Sequence, residues 1–334
     1  MKKIKSLENS KFLKSIESTF IKTYQSLLLP KNITLGIAFS GGPDSSCLLY
    51  LLHKLKNYLK IKDIKILYFN HLLRGKESEK EEKFVKDIAK KYGYELIIGY
   101  PKTKPPKKNI EAWARQERYN FFKNVKSNLN IDYIALGHNL TDLAETIILK
   151  LIKGTFLEGL KGFYPKRDFY IRPLIEIRKE DIEKYLKIKN IPYFIDSSNL
   201  ETKYERNFLR HKIFPLLKNL NPSLEKTLLN FSKNMLEFLD FYKNILNSYL
   251  KKALKKEKNK YFLDRKILLS YPDYLKREII NLFAKNFLNT TLSSKTLFEI
   301  QNLIKKYKNI KRAFGKTLFI IDNNKIYLQK VKEK

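Results

Sequence analysis

Apolar and polar positions along the first half of the chain follow two alternating patterns. Short continuous apolar runs, typical of buried strands, alternate with longer segments whose apolar residues recur at helical spacing. The predicted strands are 33–39, 64–71, 94–100 and 133–137, and the predicted helices are 46–58, 77–92, 110–125 and 140–153. Strands that alternate with helices pair in parallel. We therefore expect an α/β domain with a doubly wound, Rossmann-like parallel sheet.

The pattern changes near residues 219–222. Helical periodicity dominates 224–254 and 276–307, whereas 317–321 and 325–329 alternate like the two strands of a hairpin. We expect a catalytic domain over residues 1–220. Residues 221–334 are expected to form a mainly helical domain with a terminal hairpin, and this domain is expected to contact nucleic acid.

The turn after the first predicted strand reads Ser40-Gly41-Gly42-Pro43-Asp44-Ser45. Two adjacent glycines let backbone N–H groups approach a ligand, and the following helix directs its unpaired N–H groups and positive dipole end to the same place. A phosphate chain suits that environment, and the Asp44 carboxylate suits a divalent cation such as Mg²⁺ beside it. The alternative, glycines that serve turn geometry only, is weaker because serines flank the turn and an acid opens the helix.

A second polar cluster follows the fourth predicted strand, where His138 precedes a helix that carries Asp142 and Glu145. Residues three apart share a helix face, so the two carboxylates could bind an ammonium group or a metal ion. Acids at a helix N-terminus are also favoured by the helix dipole without any ligand. The carboxyl ends of parallel strands form one edge of the sheet, and we expect His71, His138 and the glycine turn to meet there.

Two arginine pairs have helical spacing. Arg115 and Arg118 lie one turn apart, and one of them could reach a phosphate or substrate; alternatively they are solvated charges that pair with Glu111 or Glu117. Arg206 and Arg210 share one helix face and form the best candidate patch for nucleic acid, with a solvated face as the alternative.

The formal net charge of +34 over 334 residues points to a polyanionic partner, nucleic acid first. An AT-rich coding sequence, which enriches Lys, Ile and Asn together, explains such a charge equally well. The single cysteine, Cys47, excludes intrachain disulfides and a cysteine-ligated cluster within one chain, and fits a reducing compartment. No apolar run reaches the length of a membrane span and no secretory leader is visible, so we expect a cytoplasmic protein without a membrane partner.

The glycine turn resembles the pyrophosphate-binding loop of the N-type ATP pyrophosphatase superfamily. Together, the clusters resemble the tRNA(Ile)-lysidine synthase family over about the first two thirds of the chain. The similar stretches are Asn70-His71-Leu72-Leu73-Arg74-Gly75, Arg115-Gln116-Glu117-Arg118-Tyr119, 138–146, Gly159-Leu160-Lys161-Gly162, Arg172-Pro173-Leu174 and 196–215.

The resemblance implies an RNA-binding ligase that uses ATP, and Mg²⁺, to join free L-lysine to carbon 2 of the wobble cytidine of tRNA(Ile) with anticodon CAU. Under this hypothesis the turn from Ser40 to Ser45 binds ATP, and Asp44 holds the metal. Asp142, Glu145 and Arg115 serve catalysis and lysine binding. The tRNA would contact His71, Arg74, His138, Arg206 and Arg210.

Three alternatives compete with this interpretation. A tRNA 2-thiocytidine synthetase of the same superfamily needs cysteine pairs, which the single Cys47 does not supply. An amidating relative such as a GMP or NAD synthetase fits the charge less well. A non-catalytic RNA-binding protein would have no use for the acids Asp44, Asp142 and Glu145.

Overall fold

Alternating strands and helices of the first half of the chain build a six-stranded sheet. The structure, a computed structural model, describes residues 2–73, 75–155, 157–194, 205–258 and 260–331. It divides into two units, Met1–Met235 and Leu236–Lys334, and each is described by itself.

The strands of the first unit are β1 (Ile33–Ala38), β2 (Ile61–Phe69), β3 (Glu95–Gly99), β4 (Tyr133–Ala135), β5 (Lys166–Arg167) and β6 (Tyr170–Ile171). Its helices are α1 (Lys2–Ser26), α2 (Pro43–Leu55), α3 (Lys76–Tyr92), α4 (Ile110–Asn128), α5 (Leu140–Ile152), α6 (Leu157–Leu160), α7 (Lys179–Lys189), α8 (Glu205–Phe208), α9 (Phe214–Leu220) and the first part of α10 (Leu224–Ala253). A π-helical segment, Leu209–Ile213, joins α8 to α9.

The strand order is β3-β2-β1-β4-β6-β5, and every pair is parallel except the edge pair of β5 and β6. In β1, Leu35 is in register with Ile64 of β2 on one side and with Tyr133 of β4 on the other. The chain runs from β1 out to β3 and then returns to the opposite side of β1. Strand order therefore reverses between β1 and β4, where a doubly wound sheet opens a crevice for ligands.

Successive side chains of β2 enter different cores, as expected for a sheet covered on both faces. Ile66 and Tyr68 belong to the cluster that α1, α2 and α7 cover, and Leu67 belongs to the cluster that α4 covers. These side chains are at most 2% exposed. Burial of this kind contributes roughly 1.5–3 kcal/mol for each large apolar side chain.

The predicted α/β fold is confirmed, and the predicted helix and strand positions agree with the structure to within a few residues. Asn109, which directly precedes α4, has φ of +60°, and its side chain makes no capping hydrogen bond. Helix α1 was not predicted, because its buried apolar residues Ile16, Phe20 and Tyr24 recur every four residues within an otherwise polar segment.

The second unit contains the remainder of α10, three further helices and a five-stranded antiparallel sheet. The helices are α11 (Arg265–Ser270), α12 (Asp273–Leu288) and α13 (Ser294–Lys306), and the strands are β7 (Leu254–Glu257), β8 (Lys260–Asp264), β9 (Asn309–Phe314), β10 (Thr317–Asp322) and β11 (Lys325–Lys330). The predicted hairpin is confirmed as β10 and β11, with Asp322 opposite Lys325 at its turn. Strands β7, β8 and β9 extend it into the sheet β7-β8-β11-β10-β9.

The division between the units falls at residues 235/236, whereas the change in sequence pattern falls near 219–222. The N-terminal part of α10 packs on the first unit, where Leu228 and Leu229 contact the apolar cluster of α5. No helix in the described ranges is long and apolar enough to cross a membrane.

Candidate active site

A cavity of about 460 Å³ opens at the carboxyl ends of β1, β2 and β4, at the reversal point of the sheet. Polar side chains from four separate stretches of sequence line it: Ser40, Asp44, Ser45, Asn70, His71, Arg118 and His138. The expected meeting of the glycine turn with His71 and His138 is therefore what the structure shows.

The turn between β1 and α2 is a tight loop stabilised by its serines. Gly41 has φ of +74°, a conformation that other residues rarely adopt. The backbone N–H of Ser40 donates to Ser45 Oγ (3.3 Å), and Ser45 Oγ donates to the carbonyl of Gly42 (3.0 Å). Because α2 begins at Pro43, the N–H groups of its first turn remain available to an anion.

Gly137, at the end of β4, allows the start of α2 to approach the sheet closely. A Cβ on this residue would lie 3.2 Å from the backbone nitrogen of Ser45 and 3.3 Å from the carbonyl carbon of Asp44. Backbone atoms cannot yield as a flexible side chain can, so a larger residue here would displace the turn.

Asn139 connects the turn to the acid pair of α5. Its Oδ1 accepts the N–H of Asp142 (2.9 Å), and Asp142 Oδ2 accepts the N–H of Asn139 (3.1 Å), which together form a capping box. Its Nδ2 donates to Asp44 Oδ1 (2.9 Å). Asn139 is completely buried, so this relay holds Asp44 and Asp142 in a fixed relation.

Asp44 lies in a mixed electrostatic environment. Burial raises the pKa of its carboxyl group, the charge of Lys179 opposes that rise, and nearby Asp142 reinforces it. The Lys179 ammonium lies 3.7 Å from Asp44 Oδ2. One carboxylate beside a phosphate loop suits Mg²⁺, which takes one or two carboxylates together with substrate phosphates. Within the described ranges no group of three His, Cys, Asp or Glu side chains could hold a metal by itself.

Asp142, Glu145, Arg206 and Arg210 form one cluster, which we call the acid–arginine cluster. Arg206 donates from Nη2 to Asp142 Oδ1 (2.8 Å) and from Nε to Glu145 Oε2 (2.9 Å). Arg210 donates from Nε to Glu145 Oε1 (2.6 Å) and from Nη2 to Glu145 Oε2 (2.9 Å), and lies 3.3 Å from Asp142 Oδ1.

The acid–arginine cluster brings together the candidate lysine site and the candidate tRNA patch. Glu145 is fully buried, and the side chains of Arg206 and Arg210 are 42% and 21% exposed. Two carboxylates and two guanidinium groups sum to zero charge. Arg206 and Arg210 thus face the acids, and the open basic face that the sequence predicted is only partly available.

Arg210 lies within the π-helical segment, and Arg206 lies in the short helix before it. Such single π turns are frequent at functional sites. Both arginines reach the same two acids across this irregular backbone.

Arg115 is exposed, with its guanidinium 4.7 Å above the ring of Tyr119 and a hydrogen bond of 3.3 Å to the Tyr119 hydroxyl. Glu117, an expected partner, instead accepts the N–H of Lys102 and the hydroxyl of Thr103. Arg74 and the stretch 196–199 lie outside the described residues.

Three residues of this site had no role predicted from the sequence: Asn139, Lys179 and Arg172. Arg118, one of the two arginines expected to reach a phosphate or substrate, lines the cavity. The spacing of Asn139 and Asp142 before an apolar helix is a capping signature that could have identified Asn139. Lys179 had no distinguishing signal among 68 basic residues.

A parallel sheet that carries a glycine turn suited to phosphate binding, at the place where its strand order reverses, defines a nucleotide-binding PP-loop protein. In agreement, residues 12–217 match the ATP_bind_3 family, described as a PP-loop domain. A tRNA(Ile)-lysidine synthase of Persephonella marina is 38% identical over 330 residues, which are 96% of this chain and 71% of that protein. The chain belongs to the tRNA(Ile)-lysidine synthase family.

Two further comparisons bound this assignment. A tRNA(Ile)-lysidine synthase of Thermosipho africanus is 39% identical over 66% of this chain, which spans only 52% of that protein. The solved structure of the U34-tRNA thiolase NcsA from Methanococcus maripaludis, with its [4Fe-4S] cluster, is similar in fold, with a TM-score of 0.58 and 21% identity. The aligned residues are 68% of this chain and 80% of the thiolase chain. The last similarity concerns the fold alone.

Proposed function

We propose that this chain ligates free lysine to carbon 2 of the wobble cytidine of tRNA(Ile) with anticodon CAU, by way of an adenylated cytidine. The observation that carries the proposal is the convergence of a phosphate loop, an acid pair and arginines at one edge of the sheet. The base oxygen attacks the α-phosphate of ATP and pyrophosphate leaves. The lysine ε-amine then attacks carbon 2, and AMP leaves.

The turn from Ser40 to Ser45 binds the pyrophosphate portion of ATP with its backbone N–H groups. Asp44 holds a magnesium ion, which when bound offsets negative charge on the phosphates. Asn139 orients Asp44 for this role through its 2.9 Å hydrogen bond.

The acid pair binds the ammonium group of lysine, and one carboxylate accepts its proton, because only the neutral amine is a nucleophile. The acid–arginine cluster has no net charge, so it offers a cation little attraction while both guanidinium groups are present. Lysine binding therefore requires Arg206 or Arg210 to turn away from Glu145.

Phosphates of the tRNA backbone provide the arginines with alternative partners. Arg206, the more exposed of the two, makes the first contact, and its departure opens Asp142 and Glu145 to lysine. His71, Arg74 and His138 contact the inserted nucleotide, and Arg115 binds the lysine carboxylate or the α-phosphate. Lysine affinity would then depend on tRNA.

The test is incorporation of labelled lysine into a tRNA(Ile) transcript with the CAU anticodon, with and without ATP. A transcript with the wobble C changed to U is the matched control. Incorporation that needs both ATP and the wobble C is the expected result. Cleavage of ATP to AMP and pyrophosphate without incorporation would retain the PP-loop chemistry and refute lysidine formation.

Variants separate the roles within the acid–arginine cluster. Glu145→Gln should raise the KM for lysine about tenfold or more, since it removes a charged partner. Arg206→Ala with Arg210→Ala should weaken tRNA binding and reduce its salt dependence by about two phosphate contacts. Unchanged tRNA affinity in the arginine variant would refute their proposed contact.

A further inference from the structure

Three arginines outside the acid–arginine cluster act electrostatically on His138, which lines the cavity. Arg115 and Arg118 belong to α4, and Arg172 directly follows β6. Burial lowers the pKa of His138 well below its usual value, and the charges of Arg172, Arg115, Arg206 and Arg118 lower it further. We call Arg115, Arg118 and Arg172 the arginine group.

The guanidinium groups of the arginine group form no ion pair with a carboxylate of the described ranges, where an ion pair means N···O within 4.0 Å. Arg172 is 6% exposed, and burial lowers its pKa and that of Arg118. Buried charges are normally paired, because leaving one unpaired is costly.

Arg172 is held in place by the protein, whereas Arg118 faces the cavity. The Arg172 Nη1 donates to the carbonyl of Tyr164 (2.7 Å), and its guanidinium lies 5.2 Å from the ring centre of Phe163. Arg118 lines the cavity and makes no hydrogen bond to the described residues. Arg172 thus reinforces the positive potential, and Arg118 is the group that can reach a ligand.

Two buried polar atoms also lack partners at this place. The Nδ1 atom of His138 and the Nε atom of Arg172 are inaccessible to solvent and have no hydrogen-bond partner in the described part of the chain. His138 and Arg172 both pack against the ring of Phe163. Unsatisfied buried groups beside a cavity indicate that a ligand completes their hydrogen bonding.

We propose that Arg118, supported by Arg172 and Arg115, forms an oxyanion subsite that binds one phosphate group in the cavity that the Ser40–Ser45 turn also lines. Guanidinium groups suit a phosphate because they donate two parallel hydrogen bonds to its oxygens. The phosphate belongs either to the nucleotide or to the tRNA backbone beside the inserted base. The second source rests on the proposed function, whereas the subsite itself does not.

The first experiment measures thermal unfolding of the full chain with and without AMP or inorganic phosphate. We compare Arg118→Met and Arg118→Lys with Arg167→Met, which removes an exposed arginine of β5 in the same unit. Without a ligand, Arg118→Met should melt at the same temperature as the wild type or higher, because a half-buried charge that has no ion-pair partner among the described residues is gone. A lower melting temperature that Arg118→Lys does not restore would mean a structural role and overturn the proposal.

The second experiment separates the two phosphate sources by titration. A loss of AMP affinity of about ten- to one-hundredfold in Arg118→Met, with tRNA affinity unchanged, assigns the nucleotide phosphate. A loss of tRNA affinity with AMP affinity unchanged, and with the salt dependence of tRNA binding reduced by about one phosphate contact, assigns the bound phosphate to the tRNA backbone. Unchanged affinity for both ligands overturns the subsite. None of these readouts requires lysine transfer, so failure of the proposed function would be seen separately.

Discussion

Replacement of Glu145 by glutamine tests the acid–arginine cluster most directly. Glu145 is fully buried and accepts three N–H groups, one from Arg206 at 2.9 Å and two from Arg210 at 2.6 and 2.9 Å. Glutamine has nearly the same shape, but it is neutral, and its one oxygen can keep at most the two bonds that Glu145 Oε2 accepts. Its NH₂ group then faces the Nε donor of Arg210, and two guanidinium groups lose a buried charged partner, so the variant should lose about 3 kcal/mol of stability.

Urea unfolding followed by tryptophan fluorescence is a suitable assay, because the only tryptophan of the chain, Trp113, lies on α4 in the first unit. The signal therefore reports the unit that contains the cluster. Glu180→Gln is the matched control. Glu180 contacts Lys218 at 2.7 Å but is 66% exposed, and its loss should cost less than about 0.5 kcal/mol.

A double-mutant cycle decides whether the stability loss comes from the pair. Arg210→Gln in the Glu145→Gln background should cost about 2 kcal/mol less than in the wild type, because its partner is already gone. Additive effects of the two substitutions, or a loss below about 1 kcal/mol in Glu145→Gln alone, would refute the reasoning.

Three further predictions concern other parts of the first unit. Burial and nearby arginines lower the pKa of His138 in the folded protein, so its contribution to stability is fully present above pH 6.5 and is lost as the pH falls below that value. Below pH 6.5 the free energy of unfolding of the wild type should fall by up to about 1.4 kcal/mol per pH unit more than that of His138→Gln, measured by thermal unfolding. Gly137→Ala should weaken ATP binding at least about tenfold in calorimetry, since its Cβ would press on the backbone of Ser45; retained affinity would contradict the close approach. Burial raises the pKa of the Cys47 thiol, which should resist a thiol reagent at pH 8 until the protein unfolds.

The parallel sheet was predictable because its sequence pattern is local. Strands β1 to β4 are short apolar runs between helical segments, and the rule that parallel strands end at one edge placed the glycine turn beside His71 and His138. In contrast, β7 reads Leu-Lys-Lys-Glu and has no apolar alternation, so its place in a sheet depends on its pairing with β8. Tertiary pairing of this kind leaves no local pattern.

The acid–arginine cluster shows the same limit within the site. Spacing along each helix correctly placed Asp142 with Glu145, and Arg206 with Arg210. The two pairs are more than 60 residues apart in sequence, and no property of either pair indicates that they meet. A single sequence therefore supports a separate role for each pair, whereas in the structure the arginine pair and the acid pair bind each other.

The π-helical segment Leu209–Ile213 has a consequence for insertions and deletions in this part of the chain. A π turn holds one more residue than an α turn, so removal of one residue would turn it into ordinary α-helix. A residue removed between Arg206 and Arg210 would leave the two arginines three apart instead of four, which changes the angle between them on an α-helix by about 100°, the angle that one residue occupies. Substitutions here change single contacts, but such a change of length would alter how both arginines together face Asp142 and Glu145. Evolution of the segment is thus constrained in its residue count more than in its composition.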